Sequence, residues 1–166
     1  MIFGFGCFEI DIFYGKKLED IVPSSHNYDQ RDRILDNLPL VVPMIRLEKY
    51  SPIIYQHGFF VGRKVQYAGT KEEKYFINNH LTFTVKYHKD PQTDSARIVG
   101  FEVNAFSVKA HQYDGKWTDM TRLTTCDAHA KRLVSSSDPP QEVGNKKEII
   151  FTYDVDFQES EIKWQG

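Results

Sequence analysis

Histidine side chains are the first candidates for metal binding or proton transfer, and the sequence contains six of them. His80 and His88 share one face of a predicted strand, but at about 3.3 Å per residue they lie roughly 26 Å apart and cannot bind one ion. His57 could approach His80 across strands, yet no cysteine or acidic residue has ligand spacing beside them. We therefore predict no metal site and no cofactor, and we interpret these histidines as polar residues of a sheet face.

Two other patterns contain residue types that are used in catalysis. Cys126-Asp-Ala-His129 brings a thiol near a histidine, but it lies in a polar connection without a recognisable orienting group. Asp154 and Asp156 share one face of another predicted strand, about 7 Å apart. This separation resembles that of a glycosidase carboxylate pair, although such pairs seldom come from a single strand. A solvated sheet face explains both aspartates at least as well, so we assign no catalytic residue.

The elements that would position these side chains are β-strands. Between Asn79 and His88 apolar and polar residues alternate, so one side of this strand is expected to be buried and the other wet. The stretches 149–158 and 99–105 alternate in the same way. Amphipathic strands of this kind need an apolar layer to cover them. The predicted core positions are Phe83, Val85, Phe101, Val103, Phe151 and Tyr153.

Strand patterns and turn signals together indicate the fold class. Strands are predicted near 53–61, 80–88, 98–108 and 148–158, with turn-forming residues such as Asp90 to Asp94 between them. Thr70 to Glu73 matches a capping box and predicts a short helix from Thr70 to Ile77. The predicted fold is all-β with one or two short helices. Its predicted architecture is an antiparallel two-sheet β-sandwich, for which a jelly-roll-like topology is one option.

Composition and charge exclude several classes of function. The formal net charge of −2 gives no electrostatic reason to expect a nucleic-acid partner. No run approaches the roughly 20 apolar residues that a membrane-spanning helix needs. The apolar segment from Met1 to Tyr14 contains Glu9 and Asp11 and has no basic start, so it lacks the features of a clear signal peptide.

A series of short phrases occurs in order along the chain. The phrases are Ile34-Leu-Asp-Asn-Leu-Pro-Leu-Val-Val-Pro43, Tyr55-Gln-His-Gly-Phe59, Asn79-His-Leu-Thr-Phe83, Arg97-Ile-Val-Gly-Phe-Glu-Val103, Phe106-Ser-Val108 and Phe151-Thr-Tyr-Asp-Val155, followed by Trp164. In order and spacing they closely resemble the lumenal N-terminal domain of the nonaspanins, the transmembrane 9 superfamily or endomembrane protein 70 family. The resemblance implies a divergent N-terminal segment at 1–33 and a nonaspanin-like lumenal β-sandwich domain at 34–166.

The resemblance also implies a function without catalysis. A nonaspanin has a large lumenal domain followed by membrane helices, and it resides in Golgi and endosomal membranes. Its proposed work is the sorting and surface delivery of other membrane proteins, which are the implied partners, and no enzymatic activity is expected. Here the chain stops at Trp164-Gln-Gly166, where the family continues toward its first membrane helix. We therefore expect a fragment truncated before the membrane helices.

Individual residues carry three narrower expectations. Cys7 lies in the segment that departs from the family, so we predict no disulfide bond between it and Cys126. His57 lies on the apolar parity of its strand and is the candidate for a buried histidine that senses pH, and the alternative is a partly exposed histidine with no effect of pH on stability. The alternative function is a soluble carbohydrate-binding β-sandwich, in which exposed Tyr113 and Trp117 near a glycine turn would stack on sugars.

Overall fold

The part of the chain that the structure describes is rich in β-strands. The computed structural model describes residues 8–10, 34–35, 38–44, 52–66, 69, 72–109, 115, 138–143 and 149–163, and within these ranges it contains no helix. The strands are β1 (Phe8–Ile10), β2 (Ile34–Leu35), β3 (Leu38–Pro39), β4 (Val41–Pro43), β5 (Tyr55–His57), β6 (Gly62–Gln66), β7 (Glu73–Ile77), β8 (His80–Lys89), β9 (Ala96–Phe106) and β10 (Phe151–Glu159). The all-β class is therefore confirmed.

The strands assemble into one large sheet and two small ones. The large sheet has six strands in the order β1-β10-β8-β9-β4-β5, so the three longest strands lie next to one another. The pairs β2-β3 and β6-β7 each form a two-stranded antiparallel sheet. Residues 79–88, 99–105 and 149–158, which alternate most regularly in the sequence, thus form β8, β9 and β10, the strands that carry most of the large sheet.

The large sheet is mixed, which corrects the expectation of purely antiparallel pairing. β8 pairs antiparallel with β9, but β10 runs parallel to β8 and β4 runs parallel to β9. An antiparallel jelly-roll-like topology therefore does not describe these two pairings. Alternating side chains look the same in parallel and antiparallel strands, and the direction is set by the connection. β9 ends and β10 begins beside the start of β8, because Phe106 and Thr152 both pair with His80, so the connection from β9 to β10 returns at the same end of the sheet.

The β8-β9 hairpin closes through a turn in which Asp90 supplies both backbone and side-chain contacts. The Asp90 N–H donates to the Ser95 carbonyl (2.9 Å), and the Asp94 N–H donates to the Asp90 carbonyl (3.0 Å). The Asp90 carboxylate accepts the Gln92 N–H at 2.8 Å, which is an Asx turn. Asp94 has φ of 54°, in the left-handed region that aspartate tolerates better than most residues. The predicted turn is thus confirmed.

The predicted helix from Thr70 to Ile77 is wrong over the residues described. Glu73–Ile77 is strand β7, paired antiparallel with β6. Phe76 and Ile77 are buried, and the Lys64 ammonium bonds the Glu73 carboxylate at 2.7 Å across the pair. A capping box without an amphipathic helix behind it supplies little stability, because a helix this short is unstable alone. Burial against the rest of the protein favours the strand instead.

The core predicted from alternation is confirmed at its centre and weaker at its margins. Val103 is completely buried and Val85 is buried beside it. Phe83 stacks on Phe101 with ring centroids 5.6 Å apart and meets Tyr153 edge-on at 6.1 Å, but these rings are only half-buried. A second cluster joins the small β6-β7 sheet to the start of β10 through buried Ile77, Val143 and Ile149, with Val61, Tyr75 and half-buried Phe151 packed against it.

The remaining boundaries differ from the expected ones by a few residues. The strand predicted near 53–61 is limited to Tyr55–His57, because Gly58 takes a positive φ of 67° and the chain leaves the sheet there. β9 starts at Ala96 and ends at Phe106, and β10 begins at Phe151. The proposed division of the chain at residues 33 and 34 stays a prediction.

Candidate functional site

The polar face of β8 contains a buried histidine where the alternation predicted a wet one. His80 is only 1% exposed. Its Nδ1 lies 2.6 Å from the Thr152 hydroxyl and its Nε2 lies 3.1 Å from a carboxylate oxygen of Asp154. These partners come from β10, which pairs in parallel with β8 so that Thr152 lies opposite His80. The expectation that His80 is a solvated residue is therefore wrong.

The hydrogen bonds of this buried cluster determine the tautomer of His80. An ionised carboxylate only accepts hydrogen bonds, so the Nε2–H of a neutral His80 donates to Asp154. The Nδ1 then accepts the hydrogen of the Thr152 hydroxyl. The Thr82 hydroxyl lies 3.4 Å from Nε2 and forms a weaker contact on the same face. Every polar atom of the imidazole ring thus has a partner although the ring is out of water.

The hydrogen bonds run from Thr152 to His80 and from His80 to Asp154. A nucleophile, a base and an orienting acid are connected in the same way in a catalytic triad. A hydroxyl that attacks a substrate has to be reachable, however, and Thr152 is only 3% exposed. The geometry therefore suits a cross-link between strands rather than acyl transfer. Both carboxylates of the Asp154 and Asp156 pair form hydrogen bonds within the protein. Asp154 bonds His80, and Asp156 accepts a hydrogen bond from the Gln158 amide at 2.8 Å. The carboxylate pair accordingly lends no support to a glycosidase.

Asn79, which precedes β8, joins three parts of the chain and was not recognised as important from its sequence. Its side-chain amide donates to the carbonyls of Val108 (2.9 Å) and Ile150 (2.8 Å), and its side-chain oxygen accepts the Val108 N–H (2.7 Å). The Asn79 carbonyl accepts the Thr152 N–H at 2.9 Å. A polar residue next to a strand is a common pattern, so only the fold reveals that Asn79 is buried and fully bonded.

An ion pair occupies the middle of the same polar face. The Lys86 ammonium bonds the Glu102 carboxylate, and both side chains are partly buried. Gly100 lies directly opposite Lys86 in β9. A β-carbon at position 100 would approach the Lys86 β-carbon to 3.2 Å, so the absence of a side chain leaves room for the lysine stem.

The far end of the polar face opens into a cavity of roughly 630 Å³. Residues around it include His88, Asp90, Gln92, Thr93, Arg97 and Lys163. The segment after β10 closes one side of the cavity. The Ser160 N–H donates to the Tyr87 carbonyl (2.7 Å), and the Ser160 carbonyl accepts a hydrogen bond from His88 Nδ1 (2.9 Å). These two bonds hold the segment that carries Lys163 beside the hairpin.

Charges at this open end are distributed unevenly. Arg97 lies directly opposite His88 in the β8-β9 pair, and Lys163 lies at the same cavity. Among the described residues that line the cavity, the acidic side chain is Asp90, whose pKa is lowered by the hydrogen bond from the Gln92 N–H and by the Thr93 hydroxyl. Lys89 and Asp94 form a separate exposed ion pair at 2.6 Å, which raises the pKa of the lysine and lowers that of the aspartate.

The other residues singled out in the sequence have mixed outcomes. His57 is exposed on β5, so the structure agrees with the alternative of an exposed histidine and not with the candidate role as a buried one. Its strand lies at the end of the large sheet, where no further layer among the described residues covers its side chain. Three predictions fall on residues outside the described ranges, and these concern Cys7 with Cys126, Cys126 with His129, and Tyr113 with Trp117.

Metal ligands and membrane helices are both missing from the described ranges. Within them, no group of three or more His, Cys, Asp or Glu side chains is arranged to hold a metal ion. No helix long and apolar enough to cross a membrane is present in that part of the chain. What the described residues define is an all-β domain with a buried polar cluster at one end of its main sheet and a basic cavity at the other.

Comparison with known proteins identifies the family. The model of the Endomembrane protein 70 family matches residues 24–166. Transmembrane 9 superfamily members 10 and 9 of Arabidopsis thaliana are 67% and 68% identical over 131 and 134 residues, 79% of this chain and 20% and 21% of the relatives. Transmembrane 9 superfamily member 4 of Homo sapiens is 30% identical over 148 residues, 79% of this chain and 20% of that protein. The chain belongs to the transmembrane 9 superfamily, as the phrases in its sequence indicated.

The match covers only part of each relative. The chain spans about a fifth of the length of the curated relatives that it matches. No solved structure matches this chain. The family assignment therefore rests on sequence similarity, whereas the strand order rests on the structure of this chain.

Proposed function

We propose that this chain is a non-enzymatic lumenal domain of a transmembrane 9 superfamily protein that takes part in sorting and trafficking membrane proteins in the Golgi and endosomal system. Family membership over residues 24–166 supports the proposal, as do relatives whose names place them among transmembrane proteins. The Thr152, His80 and Asp154 cluster supports a non-enzymatic role, because its hydroxyl and its imidazole are both buried. Client membrane proteins are the proposed partners.

An exposed apolar patch at one end of the large sheet carries the interaction role. Ile54 is 70% exposed, and Met44, Ile53 and Tyr55 beside it are also exposed. The Met44 N–H donates to the Ile54 carbonyl at 2.8 Å, which extends the β4-β5 pairing toward this patch. β5 is the last strand of the sheet in the described residues. Clustered apolar side chains on a sheet edge are typical of a surface that binds another protein.

The lumenal location can be tested with an engineered glycosylation site. Pro91→Asn creates an Asn-Gln-Thr acceptor that ends at Thr93, in an exposed turn of a sequence with no natural Asn-X-Ser/Thr acceptor. In cells that express the protein at its full natural length, we expect a glycan that a peptide N-glycosidase removes. Pro91→Gln is the control, because it makes the same loss of proline without an acceptor. An unglycosylated Pro91→Asn protein would contradict the lumenal location.

The trafficking role can be tested by rescue of depleted cells. Membrane proteins whose surface level falls on depletion are first identified, and the full-length protein carrying Ile54→Lys is then reintroduced. We expect Ile54→Lys to fail to restore their surface level, while Ile162→Lys restores it, because Ile162 is similarly exposed (67%) but lies outside the patch. Equal rescue by both variants would remove the patch from client binding. No change in any surface protein on depletion would contradict the trafficking function itself.

A further inference from the structure

The cavity at the tip of the β8-β9 hairpin is walled by hydrogen-bonded segments, and its lining has more cations than anions. The Asx turn at Asp90 holds the hairpin on one side, and the Ser160 bonds to Tyr87 and His88 hold the C-terminal segment on the other. A further bond from the Ile162 N–H to the Ser160 hydroxyl (3.2 Å) shapes the segment just before Lys163. The lysine therefore reaches the cavity from a different part of the chain than Arg97 does.

The sheet places two basic residue types directly opposite each other at the wall of this cavity. His88 and Arg97 are a cross-strand pair, and residues in such pairs have β-carbons about 4.5 to 5.5 Å apart. The Arg97 guanidinium is a permanent cation at this wall, and an anion placed beside it gains a favourable charge interaction. The Asp90 carboxylate supplies one negative charge against the two cations Arg97 and Lys163, so the lining of the cavity keeps a net positive charge.

We propose that this cavity binds a phosphate ester, with the phosphate held by Arg97 and Lys163 and the esterified group in the remaining space. The guanidinium of arginine matches two phosphate oxygens at once, and a lysine ammonium adds a point charge. At roughly 630 Å³ the cavity falls within the usual size of small-ligand sites, so it has room for a group attached to the phosphate. The Thr93 and Ser95 hydroxyls, 2.7 Å apart, supply polar contacts beside it. This assignment does not depend on the location of the domain in the cell.

Binding is tested with the full chain by isothermal titration calorimetry, using glycerol 3-phosphate and inorganic phosphate as separate probes. Arg97→Gln and Lys163→Gln each remove one cation from the cavity. Charge-assisted hydrogen bonds contribute enough that each loss is expected to raise Kd by about tenfold or more. Lys89→Gln is the matched control, because it removes the same charge from the same hairpin but Lys89 pairs with Asp94 and does not line the cavity. Its Kd is expected to stay close to that of the wild type.

A gain of affinity separates the proposal from damage to the fold. Asp90→Asn removes the negative charge from the cavity and keeps an oxygen that can accept the Gln92 N–H. We expect this variant to bind inorganic phosphate several-fold more tightly than the wild type does, a result that misfolding cannot produce. Absence of saturable binding of both probes by the wild type would overturn the proposal. Equal weakening by Lys89→Gln and Arg97→Gln, or no tightening by Asp90→Asn, would overturn it as well.

The source of the phosphate is distinguished by a second pair of measurements. Flotation with phosphatidylcholine vesicles, with and without phosphatidic acid, tests a lipid headgroup. Retention that needs phosphatidic acid and is lost in Arg97→Gln identifies a lipid as the source. Binding of glycerol 3-phosphate without vesicle retention identifies a soluble phosphate ester. Vesicle retention that Arg97→Gln leaves unchanged would overturn the assignment of the lipid headgroup to this cavity.

Discussion

His80 and His88 lie at opposite ends of the same face of β8, and their surroundings differ. His80 is buried and bonds two residues of β10, whereas His88 is half-buried, donates to one backbone carbonyl and borders an open cavity. Near His80 the segments before β8, after β9 and at the start of β10 converge on Asn79. Near His88 the hairpin meets the end of β10 and residues 160–163.

This contrast teaches that the side of a strand and the burial of a side chain are decided separately. Alternation places both histidines on one face, because successive side chains point to opposite sides of a sheet. Whether that face is wet depends on which other segments reach each end of it. The closed end is organised as a structural cross-link, and the open end retains charged side chains that can contact a ligand.

The largest expected loss of stability is at the closed end, where Asn79→Ala removes the side chain that joins three segments of the chain. The substitution leaves the Val108 N–H and the carbonyls of Val108 and Ile150 without their partner. Buried groups left without hydrogen bonds cost about 1 to 3 kcal/mol each, so we expect a loss of about 3 to 5 kcal/mol in the free energy of unfolding. Urea denaturation measures this loss. The control is Asn78→Ala, which removes a single exposed bond to the Phe60 carbonyl and should cost less than about 1 kcal/mol.

A direct comparison of the two ends comes from the same substitution at both histidines. His80→Ala creates a buried cavity and removes partners from Thr152 and Asp154, so we expect a cost of about 2 to 4 kcal/mol. His88→Ala removes one partly exposed bond, and we expect a cost below about 1 kcal/mol. Denaturant midpoints of the two variants measure the difference. Similar losses at both positions would show that the two ends are packed alike and that the contrast between them is wrong.

The smallest effect concerns acid sensitivity at the open end. The folded-state pKa of Asp90 is lowered, chiefly by the Gln92 N–H, so Asp90 binds a proton more readily in the unfolded chain. Its contribution to stability is complete above the unfolded-state pKa and is lost as pH falls through the folded-state pKa. We therefore expect Asp90→Asn to lose less stability than the wild type on acidification from neutral pH to about pH 3.

The measurement is a series of urea midpoints across that range of pH. Glu161→Gln is the control, because it removes a carboxylate from the neighbouring segment without touching the turn. An acid response of Asp90→Asn that matches the wild type would show that this turn does not contribute to the acid sensitivity of the protein.

Much of the main sheet could be predicted from the sequence, because its strands alternate over many residues. Val85 and Val103 were placed in the core correctly, and Asp90 to Asp94 was placed in a turn. The short helix before β8 was predicted wrongly, since a capping pattern is a local signal and the burial of Phe76 and Ile77 is not. Family membership was also available from the sequence, because it rests on the order of short phrases and not on coordinates.

The two sites needed the fold. His80 was predicted to be exposed but is buried, and alternation named His57 as the candidate for burial although it is exposed, because exposure depends on neighbours that are distant in sequence. Thr152 and Asp154 meet His80 because β10 runs parallel to β8 in one register, and Lys163 lines the same cavity as Arg97 because residues after β10 return to the hairpin. The sequence by itself determined which residues share a strand face, since that follows from the geometry of one chain segment. Only the tertiary structure decided which of them are enclosed and which are free to bind, since enclosure is made by contacts between segments far apart in the chain.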